Sequence, residues 1–248
     1  MRPFSISFAL ILLLSACTVK NYSIDKANHS MQDNNMNTSS ETNPLFTPGP
    51  LYFNYPPFDK IKDSHFVPAM EQGMREQLAD IEAIVNEAEA PTFENTLIKM
   101  ETSGQMLNRA LTVFYSLISA HTNDALNAHQ TEMAPKLSAH NDTILLNAKL
   151  FARIKLLYEQ RNSLNLDAES LRLIEKVYVN FVRAGAELSE LDKNRLKLIN
   201  TQLAELKTAF SQNVLKEVNR LAIVVDSREE LSGLTEAEIQ GASDEAES

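Results

Sequence analysis

Residues 92–120 read TFENTLIKMETSGQMLNRALTVFYSLISA, and this stretch decides the fold. Its apolar side chains recur every three or four positions, the repeat of one face of an α-helix. Thr92 comes just before the first of them and suits the N-cap position. Gly104 lies on the stripe and costs about 1 kcal/mol in helix propensity, so close approach of a neighbouring helix is its expected reason. The stretch predicts one amphipathic helix with a core-facing stripe: Phe93, Leu97, Met100, Gly104, Leu107, Leu111, Phe114 and Ile118.

The segment before it has the same repeat. Pro68 must fall in the first turn of this helix, because a proline further inside loses a hydrogen bond and clashes with the preceding turn. Methionines 70, 74, 100 and 106 lie in these helical segments and are interpreted as core residues rather than as a surface that grips peptides. The stripe of the upstream helix consists of Phe66, Met70, Met74, Leu78, Ile81 and Val85.

Further helices are predicted downstream. Asn123 or Asp124 is the expected cap of the first, and Pro135 is expected to bend or end it. A later helix is marked by Leu150, Ile154, Leu157 and Tyr158.

A long periodic region opens at Asp167 or Ser170. Its length suggests a coiled coil, but Gly185 and a change of register near Leu188 favour two packed helices. The periodic positions are Leu171, Ile174, Val177, Phe181, Leu188, Leu196, Ile199, Leu203, Leu206 and Phe210.

The last part of the chain carries weaker signals. Residues 221–225 are apolar, short and partly β-branched, which predicts a strand. Thr235 and Glu238 have the spacing of a capping box, and the helix that they announce is expected to end at Gly241. Residues 241–248 are interpreted as an acidic tail. The sequence as a whole predicts an all-α, multi-helix fold with one short strand near the C-terminus.

Composition agrees with a helical body and excludes one class of partner. The chain has only 6 Gly and 9 Pro among 248 residues, and 44% of its residues are hydrophobic, which fits packed helices better than a turn-rich β fold. Its 23 basic and 33 acidic side chains give a net charge of −10. Nucleic acid is therefore not expected as a partner, because its phosphates require a positive surface.

The N-terminus predicts an export signal. Arg2 precedes an apolar run centred on 8–14, and small residues follow at Ser15 and Ala16. The run is shorter than the roughly 20 residues that a membrane-spanning helix needs. A charged start, a short apolar middle and small residues at the end are typical of a secretory signal.

Cys17, the only cysteine, ends this run. Residues 14–17 resemble a bacterial lipobox, in which the cysteine is lipidated and becomes the new N-terminus; an ordinary signal peptide with an incidental cysteine is the alternative. Thr18 in place of an aspartate resembles the outer-membrane sorting pattern. These features predict residues 1–17 as a lipoprotein signal, lipidation at Cys17, and a location in the cell envelope, on the outer membrane facing the periplasm.

Residues 18–43 are polar, rich in Asn, Ser and Thr, and lack apolar periodicity. A segment of this composition cannot bury enough surface to fold alone. We interpret it as a flexible tether, which as a coil of about 26 residues would span roughly 25–30 Å. The helical domain is then expected over residues 44–240.

Five segments of that domain resemble one enzyme family, in the family's order: Phe58–Met70, Ala90–Thr96, Lys149–Arg153, Phe181–Ala186 and Phe210–Glu217. The family is that of the thimet oligopeptidases and bacterial peptidyl-dipeptidases, and the peptidyl-dipeptidase branch is the one most resembled. The resemblance covers about residues 44–240. It implies a helical front part that forms one wall of a deep channel and packs on a catalytic half, leaving apolar side chains exposed when that half is absent.

The resemblance also implies zinc chemistry, which this chain cannot supply. The family holds zinc with a His-Glu-x-x-His helix and a further Glu downstream, and a hydrolytic zinc site needs three protein ligands and a nearby base. Here no histidine is followed by glutamate, and no two histidines lie three or four apart; the histidines are His29, His65, His121, His129 and His140. No catalytic residue, metal ligand or zinc is therefore expected in this chain.

Other possible sites have simpler interpretations. His121 with Asp124, and His129 with Glu132, are spaced to share a metal, but solvated helix-face residues are the favoured reading because no third ligand is evident. The sequence contains no Gly-x-Ser-x-Gly elbow and no glycine-rich phosphate loop.

Two functions remain open. The chain is either the non-catalytic N-terminal portion of a zinc peptidyl-dipeptidase, which releases C-terminal dipeptides from short peptides through its catalytic half, or a stand-alone lipid-anchored helical protein that binds peptides or a partner. Both predict a membrane partner through the lipid anchor.

Overall fold

Every regular element that the structure describes is a helix. The computed structural model describes residues 43–221, 223, 225 and 227–246, all in one compact unit. No strand occurs among these residues, which confirms the all-α fold. The expected signal, the lipidation site Cys17 and the tether up to residue 42 lie outside the described residues.

Eight α-helices occur in this part of the chain: α1 Phe66–Val85, α2 Lys99–Thr102, α3 Gln105–Ala120, α4 Asp124–Leu145, α5 Ala148–Gln160, α6 Ala168–Arg183, α7 Glu190–Arg220 and α8 Glu236–Ala246. A π-helical segment, Phe93–Ile98, leads into α2. Short 3-10 turns complete the list: Pro44–Phe46, Tyr52–Asn54, Phe58–Lys60, Asp63–His65, Arg161–Ser163 and Arg228–Leu231.

Polar side chains cap the helix starts where the sequence placed them. Asn123 accepts a hydrogen bond from the Leu126 amide, and Asp167 accepts one from the Ser170 amide. These bonds satisfy amides that have no partner inside the first helical turn. Pro68 lies in the first turn of α1, where its missing N–H costs nothing.

The segment begun by Thr92 is interrupted at its centre. Ser103 and Gly104 separate α2 from α3, and Gly104 has a φ of 68°, in the left-handed region that favours glycine. A Cβ there would also lie 2.5 Å from the side chain of Gln77 on α1. The expected close neighbour is confirmed, but the expectation of one continuous helix was wrong, because the apolar repeat carries across a break in the backbone.

Two helices continue through residues expected to end them. Pro135 was expected to bend or end its helix; it lies inside α4, which runs on for ten residues to Leu145, so of these two alternatives the ending of the helix was wrong. Gly241 lies inside α8, which continues to Ala246. The capping box that starts α8 is confirmed, because Glu238 accepts from the Thr235 amide at 2.7 Å. A single proline is thus accommodated within α4, and a single glycine within α8.

The strand expected over 221–225 does not form at the positions that the structure describes there. Leu221 caps the end of α7, while Ile223 and Val225 have no regular structure; residues 222 and 224 lie outside the described residues. Ile223 is almost fully exposed. A strand needs a neighbouring strand to complete its backbone hydrogen bonds. No described residue supplies one, so the β-branched run alone was a misleading signal.

Two core clusters hold the helices together, and α1 contributes to both. The front cluster joins the first half of α1 with α3 and the first half of α4: its buried residues include Phe66, Met70, Met106, Leu107, Phe114, Leu126 and Met133. The rear cluster joins the second half of α1 with α5 and α6: its buried residues include Ile81, Ile84, Leu97, Leu150, Ile154, Leu157, Ile174 and Phe181. The predicted stripes of α1, α5 and α6 and the core interpretation of the four methionines are confirmed, since Met74 and Met100 also pack on these clusters.

Gly73 allows α1 and α3 to approach closely. It is buried on α1, and a Cβ at this position would lie 2.6 Å from the backbone nitrogen of Leu107 on α3. That distance is shorter than any real contact of a Cβ atom. The front cluster therefore depends on the absence of a side chain at Gly73.

The long periodic region divides into two helices, as predicted. Gly185, with a φ of 99°, lies in the turn between α6 and α7. α6 packs on α5, whereas α7 packs along α4. Within residues 43–221, neither core cluster contains a side chain of α7. The second half of the predicted stripe, from Ile199 to Phe210, is therefore not core. The family resemblance implies exposed apolar side chains, but it did not indicate that α7 bears them.

Candidate interaction surface

The histidines that the structure describes do not form a cluster that could hold a metal ion. His65 and Lys62 are joined by a hydrogen bond from the Lys62 amide to His65 Nδ1, at 3.1 Å. His140 is buried, and His29 lies outside the described residues. Across residues 43–246, excluding the gaps at 222, 224 and 226, no three His, Cys, Asp or Glu side chains are grouped to hold a metal. The pairs His121–Asp124 and His129–Glu132 therefore gain no third ligand from this part of the chain.

Arg153 joins two of the segments on which the family resemblance rests. Its Nη2 donates to Asn95 Oδ1 at 3.0 Å, and its Nε donates to Thr96 Oγ1 at 3.2 Å. Its Nη1 donates to the carbonyls of Glu87 and Glu89. The guanidinium is buried and uses its planar donors to fix the chain between α1 and the Thr92-capped segment. Arg153 is a structural residue, and its hydrogen-bond partners are all more than fifty positions away from it in the sequence.

Two further buried polar groups lie on α4. His140 Nε2 is 2.6 Å from Gln77 Oε1 on α1, while its Nδ1 is buried without a partner in the part of the chain that the structure describes. Burial lowers the pKa of His140. Asp142 Oδ1 accepts from Asn200 on α7 at 2.7 Å, and burial raises the pKa of Asp142 while the Asn200 bond and the charge of Lys197 oppose that rise. These groups tie α4 to both of its neighbours.

α7 meets α4 with polar side chains. In addition to the Asn200 bond, Gln212 Nε2 donates to the Asn127 carbonyl at 2.9 Å and to Gln130 Oε1 at 3.2 Å. Of the α7 residues, all of which the structure describes, Lys193 alone is buried, at 4% exposed, and its ammonium pairs with Glu190 at 3.2 Å. The side of α7 that faces the rest of the domain is thus the polar side.

The opposite side of α7 is apolar and open to solvent. Leu206 is 68% exposed and Phe210 is 70% exposed, values far above those of core residues. The exposed apolar side chains follow one another mostly at steps of three or four, as on one broad face of a helix. Eight of the nine exposed large apolar side chains of α7, all but Leu215, form the set that we call the α7 apolar face: Leu191, Leu198, Ile199, Leu203, Leu206, Phe210, Val214 and Val218.

A shallow hollow lies at the turn before α7. It has a volume of about 410 Å³ and is lined by Val182, Arg183, Gly185, Glu187, Leu188 and Leu196. A Cβ at Gly185 would come within 2.7 Å of the Leu196 side chain, so the glycine permits this packing. The lining is mostly apolar, with one basic and one acidic side chain at its edge. It has no arrangement of a nucleophile and a base that would support catalysis.

The described residues contain no helix that is both long and apolar enough to cross a bilayer.

The segments of family resemblance fall into two groups. Those ending at Met70, Thr96, Arg153 and Ala186 contribute buried residues to the clusters and to the Arg153 network. The last, Phe210–Glu217, lies on α7 with Phe210 and Val214 exposed. Among the residues that the structure describes, this geometry defines an all-α domain in which the α7 apolar face is not covered by another element.

Comparison with known proteins identifies the relatives of this domain. The chain is 43% identical over 205 residues to the dipeptidyl carboxypeptidase of Salmonella typhimurium and 38% identical over 204 residues to that of Escherichia coli. It is 26% identical over 206 residues to oligopeptidase A of Escherichia coli. These matches cover 82–83% of the chain and 30% of each relative, at the N-terminal end of the relatives. No protein-family model matches.

The chain is therefore a relative of the dipeptidyl carboxypeptidases and oligopeptidases A. It corresponds to the N-terminal part of these proteins. The resemblance found in the sequence segments is confirmed. The chain spans about 30% of the length of the relatives that it matches.

Proposed function

We propose that this chain serves as the non-catalytic N-terminal helical portion of a zinc peptidyl-dipeptidase, an enzyme that releases dipeptides from the carboxyl ends of short peptides. The observation that carries the proposal is the 43% identity to a dipeptidyl carboxypeptidase over 205 residues at that enzyme's N-terminal end. The other peptidases matched at lower identity support the same placement.

In this proposal the zinc lies outside the chain. The 248 residues contain no His-Glu-x-x-His pair of ligands. The metal and the base would be supplied by a portion of a peptidase that corresponds to the region beyond the match. The chain's own helices would form a wall that limits access of folded proteins to the zinc, and would act on peptides only through that portion.

A stand-alone binding protein is the second candidate. It is favoured by the absence of zinc ligands together with the two internally packed core clusters, which do not depend on α7. In that case the chain binds a peptide or protein partner without cleaving it. For either function we further propose a lipid anchor at Cys17 and a location in the cell envelope.

A chimaera tests the proposed function. The N-terminal 30% of the Salmonella dipeptidyl carboxypeptidase is replaced by the 205 matching residues of this chain. The chimaera should release C-terminal dipeptides from short blocked peptides, as detected by mass spectrometry, and a chelator should stop it. This chain alone should release none and hold no stoichiometric zinc.

The intact Salmonella enzyme is the positive control. A chimaera with native-like circular dichroism but no activity, beside an active intact enzyme, would contradict the proposed function. Chelator-sensitive dipeptide release by this chain alone would contradict its non-catalytic role.

A further inference from the structure

Residues 46–58, which we call the aromatic loop, expose aromatic side chains to water near the start of the described chain. Tyr52 is 90% exposed and Phe53 is 99% exposed, so neither ring contributes to a core cluster. Single exposed apolar side chains are normal on a protein surface, but a group of them within one short loop indicates an interaction site. The exposed large apolar side chains of the loop are Phe46, Leu51, Tyr52, Phe53, Tyr55 and Phe58.

Both ends of the aromatic loop are fixed to the folded domain. Leu45, just before the loop, is buried in the front cluster, and Pro57 is buried near the end of the loop. Arg109 on α3 donates from Nε to the Leu45 carbonyl and from Nη2 to the Phe46 carbonyl, each at 3.1 Å. The loop is therefore an ordered part of the domain that holds its aromatic rings in solvent.

The middle of the loop has a backbone that is unfavourable for the residues it contains. Gly49 is buried, and a Cβ at this position would overlap the carbonyl oxygen of Tyr55, so the loop closes tightly on itself. Phe53 has a φ of 58° and Asn54 a φ of 56°, both in the left-handed region. That region is rarely adopted by a bulky side chain, and strained backbone is characteristic of functional sites. Here it accompanies the most exposed ring of the loop.

The chemistry of the loop favours a lipid surface. Residues 43–58 contain no charged side chain, in a chain of which 23% of the residues are charged. Phenylalanine supplies an apolar ring, whereas tyrosine combines such a ring with a polar hydroxyl, the combination that suits the headgroup level of a bilayer. The stretch offers no charge with which to select a protein partner. It therefore fits an uncharged, layered surface better than a particular protein.

The position of the loop in the chain agrees with this chemistry. The described chain begins at the base of the loop, where Asn43 Nδ2 donates to the His65 carbonyl at 2.7 Å. Residues 18–42 separate this point from Cys17, the predicted lipidation site. A coil of that length spans roughly 25–30 Å, so an anchor at Cys17 would keep the loop close to the bilayer surface.

We propose that the aromatic loop is a membrane-contacting element, whose Tyr and Phe side chains enter the headgroup region of a zwitterionic phospholipid surface. The net charge of −10 disfavours an anionic surface. Because residues 43–58 carry no charge, the contact should not weaken when the salt concentration is raised. This inference goes beyond the proposed peptidase role and does not depend on it.

The absence of tryptophan from the chain allows a direct test. A single tryptophan is introduced in the full chain by Phe53→Trp, or at a control position by Phe210→Trp, which also replaces an exposed phenylalanine. Each protein is mixed with phosphatidylcholine vesicles, with and without bromine on the acyl chains. The emission of Phe53→Trp should shift to shorter wavelength and be quenched several-fold by the brominated lipid. The emission of Phe210→Trp should do neither.

A partition measurement tests the energetics. The test variant is Tyr52→Asp with Phe53→Asp, and the matched control, Leu206→Asp with Phe210→Asp, makes the same change of charge at two other exposed apolar positions. Both are made in the full chain with Cys17→Ser, so that no attached lipid drives binding. The partition coefficient into phosphatidylcholine vesicles should fall about tenfold or more in the test variant, because two rings lose their burial. It should change little in the control.

Both double variants should keep the melting temperature of the original chain, because the substituted side chains are exposed. Aspartate also adopts the left-handed region at position 53 more readily than phenylalanine. A lower partition coefficient in the test variant therefore reports lost lipid contact rather than unfolding.

Several results would overturn the proposal. These are no quenching of Phe53→Trp, equal quenching of Phe210→Trp, equal effects of the two double variants on partition, and release from the vesicles in high salt. A blue shift of Phe53→Trp on dimerisation, or on addition of the C-terminal portion of the Salmonella dipeptidyl carboxypeptidase, with no quenching by brominated lipid, would assign the loop to a protein surface instead.

The loop and the lipid anchor can fail separately. Palmitate on Cys17 without quenching of Phe53→Trp would leave the anchor in place and overturn the loop contact. Quenching of Phe53→Trp in a chain that takes up no palmitate would support the loop contact and remove the anchor. The peptidase activity of the chimaera is measured without vesicles, so its outcome decides the proposed function alone.

Discussion

Arg153 shows how a single residue holds distant parts of the chain together. Its guanidinium donates to two side chains, Asn95 and Thr96, and to two backbone carbonyls. Lysine keeps the charge but offers one compact ammonium in place of a planar fork. Arg153→Lys should therefore lower the free energy of unfolding by about 1–3 kcal/mol, because the buried Thr96 hydroxyl and the part-buried acceptors around it lose hydrogen bonds. Urea unfolding followed by circular dichroism measures this loss.

Arg172→Lys on α6 is the matched control, since Arg172 is exposed and pairs with Glu175 at 3.0 Å. Exposed pairs contribute little, so this variant should change stability by less than about 0.5 kcal/mol. Equal effects of the two substitutions would refute the structural role of Arg153. The sequence contained no signal for this role, because Arg153 and its partners are more than fifty positions apart.

His140 gives the stability of the domain a pH dependence with a definite sign. Burial lowers its pKa in the folded state, whereas in the unfolded chain it returns to its ordinary value of about 6.5. Between these two values the unfolded state binds more protons, so stability rises with pH there. The His140 contribution is complete above pH ~6.5 and is lost as the pH falls towards the folded value, at up to about 1.4 kcal/mol for each pH unit.

His140→Gln removes the titration and keeps an amide beside Gln77. Unfolding in urea at pH 5.5, 6.5 and 7.5 should show the original chain losing stability relative to this variant as the pH falls. Burial raises the pKa of Asp142, which acts with the opposite sign: its contribution is greatest at low pH and is lost as the pH rises through the folded value. That effect is common to both proteins and cancels in the comparison. Parallel pH profiles would show that His140 is not the cause.

At the scale of elements, the closest helix contact is the crossing of α1 and α3 at Gly73. Alanine at this position would gain about 0.5–1 kcal/mol in helix propensity. Its Cβ, however, would lie 2.6 Å from the backbone nitrogen of Leu107, so the two helices must separate. Gly73→Ala should have a net cost of about 1–3 kcal/mol, the usual range for overpacking. Thermal and urea unfolding both measure it.

Gly241→Ala is the control, because Gly241 is also helical and nothing lies within 4 Å of an added Cβ there. This substitution should not lower the free energy of unfolding. A stabilising Gly73→Ala would mean that α1 and α3 are not held at this distance.

The apolar repeat predicts that a helix exists and which residues share its face, but not what the face meets. The caps at Thr92, Asn123 and Asp167 and the stripe of α1 are local features, and each was predictable from a few neighbouring residues. The break at Gly104 was not, because the repeat continues across it. The outward direction of the α7 stripe was also not predictable from neighbouring residues, since it depends on the hydrogen bonds that Asn200 and Gln212 donate to distant residues of α4.

At the scale of the whole molecule, the two core clusters and the α7 apolar face divide the apolar residues of the described chain into two roles. The clusters enclose the stripes of α1, α3, α5 and α6, so these helices can pack without α7. Full burial of a Leu or Phe side chain is favourable by about 1.5–3 kcal/mol, and the exposed side chains of α7 forgo most of it. That free energy remains available to whatever surface covers the α7 apolar face.

The N-terminal residues predict where the molecule is held. The run at 8–14 and the sequence Leu14–Cys17 predict removal of a signal and attachment of lipid to Cys17. Each buried methylene of an acyl chain contributes about 0.8 kcal/mol, so two or more chains give stable anchoring, whereas the residues after Cys17 contain no comparable apolar run. Labelled palmitate should enter the original chain but not Cys17→Ser, and the original chain should sediment with membranes.

The matched control for this prediction is Ser15→Thr, which alters the same short region and keeps the cysteine. It should still be labelled. Cys17→Ser should leave the helical domain intact, because Cys17 precedes every described residue, so its circular dichroism after purification should equal that of the original domain. Equal labelling of the original chain and Cys17→Ser, or an original chain found entirely in the soluble fraction, would refute the lipid anchor. The exposure of the α7 apolar face does not depend on the anchor, because it follows from the packing of α7 on α4.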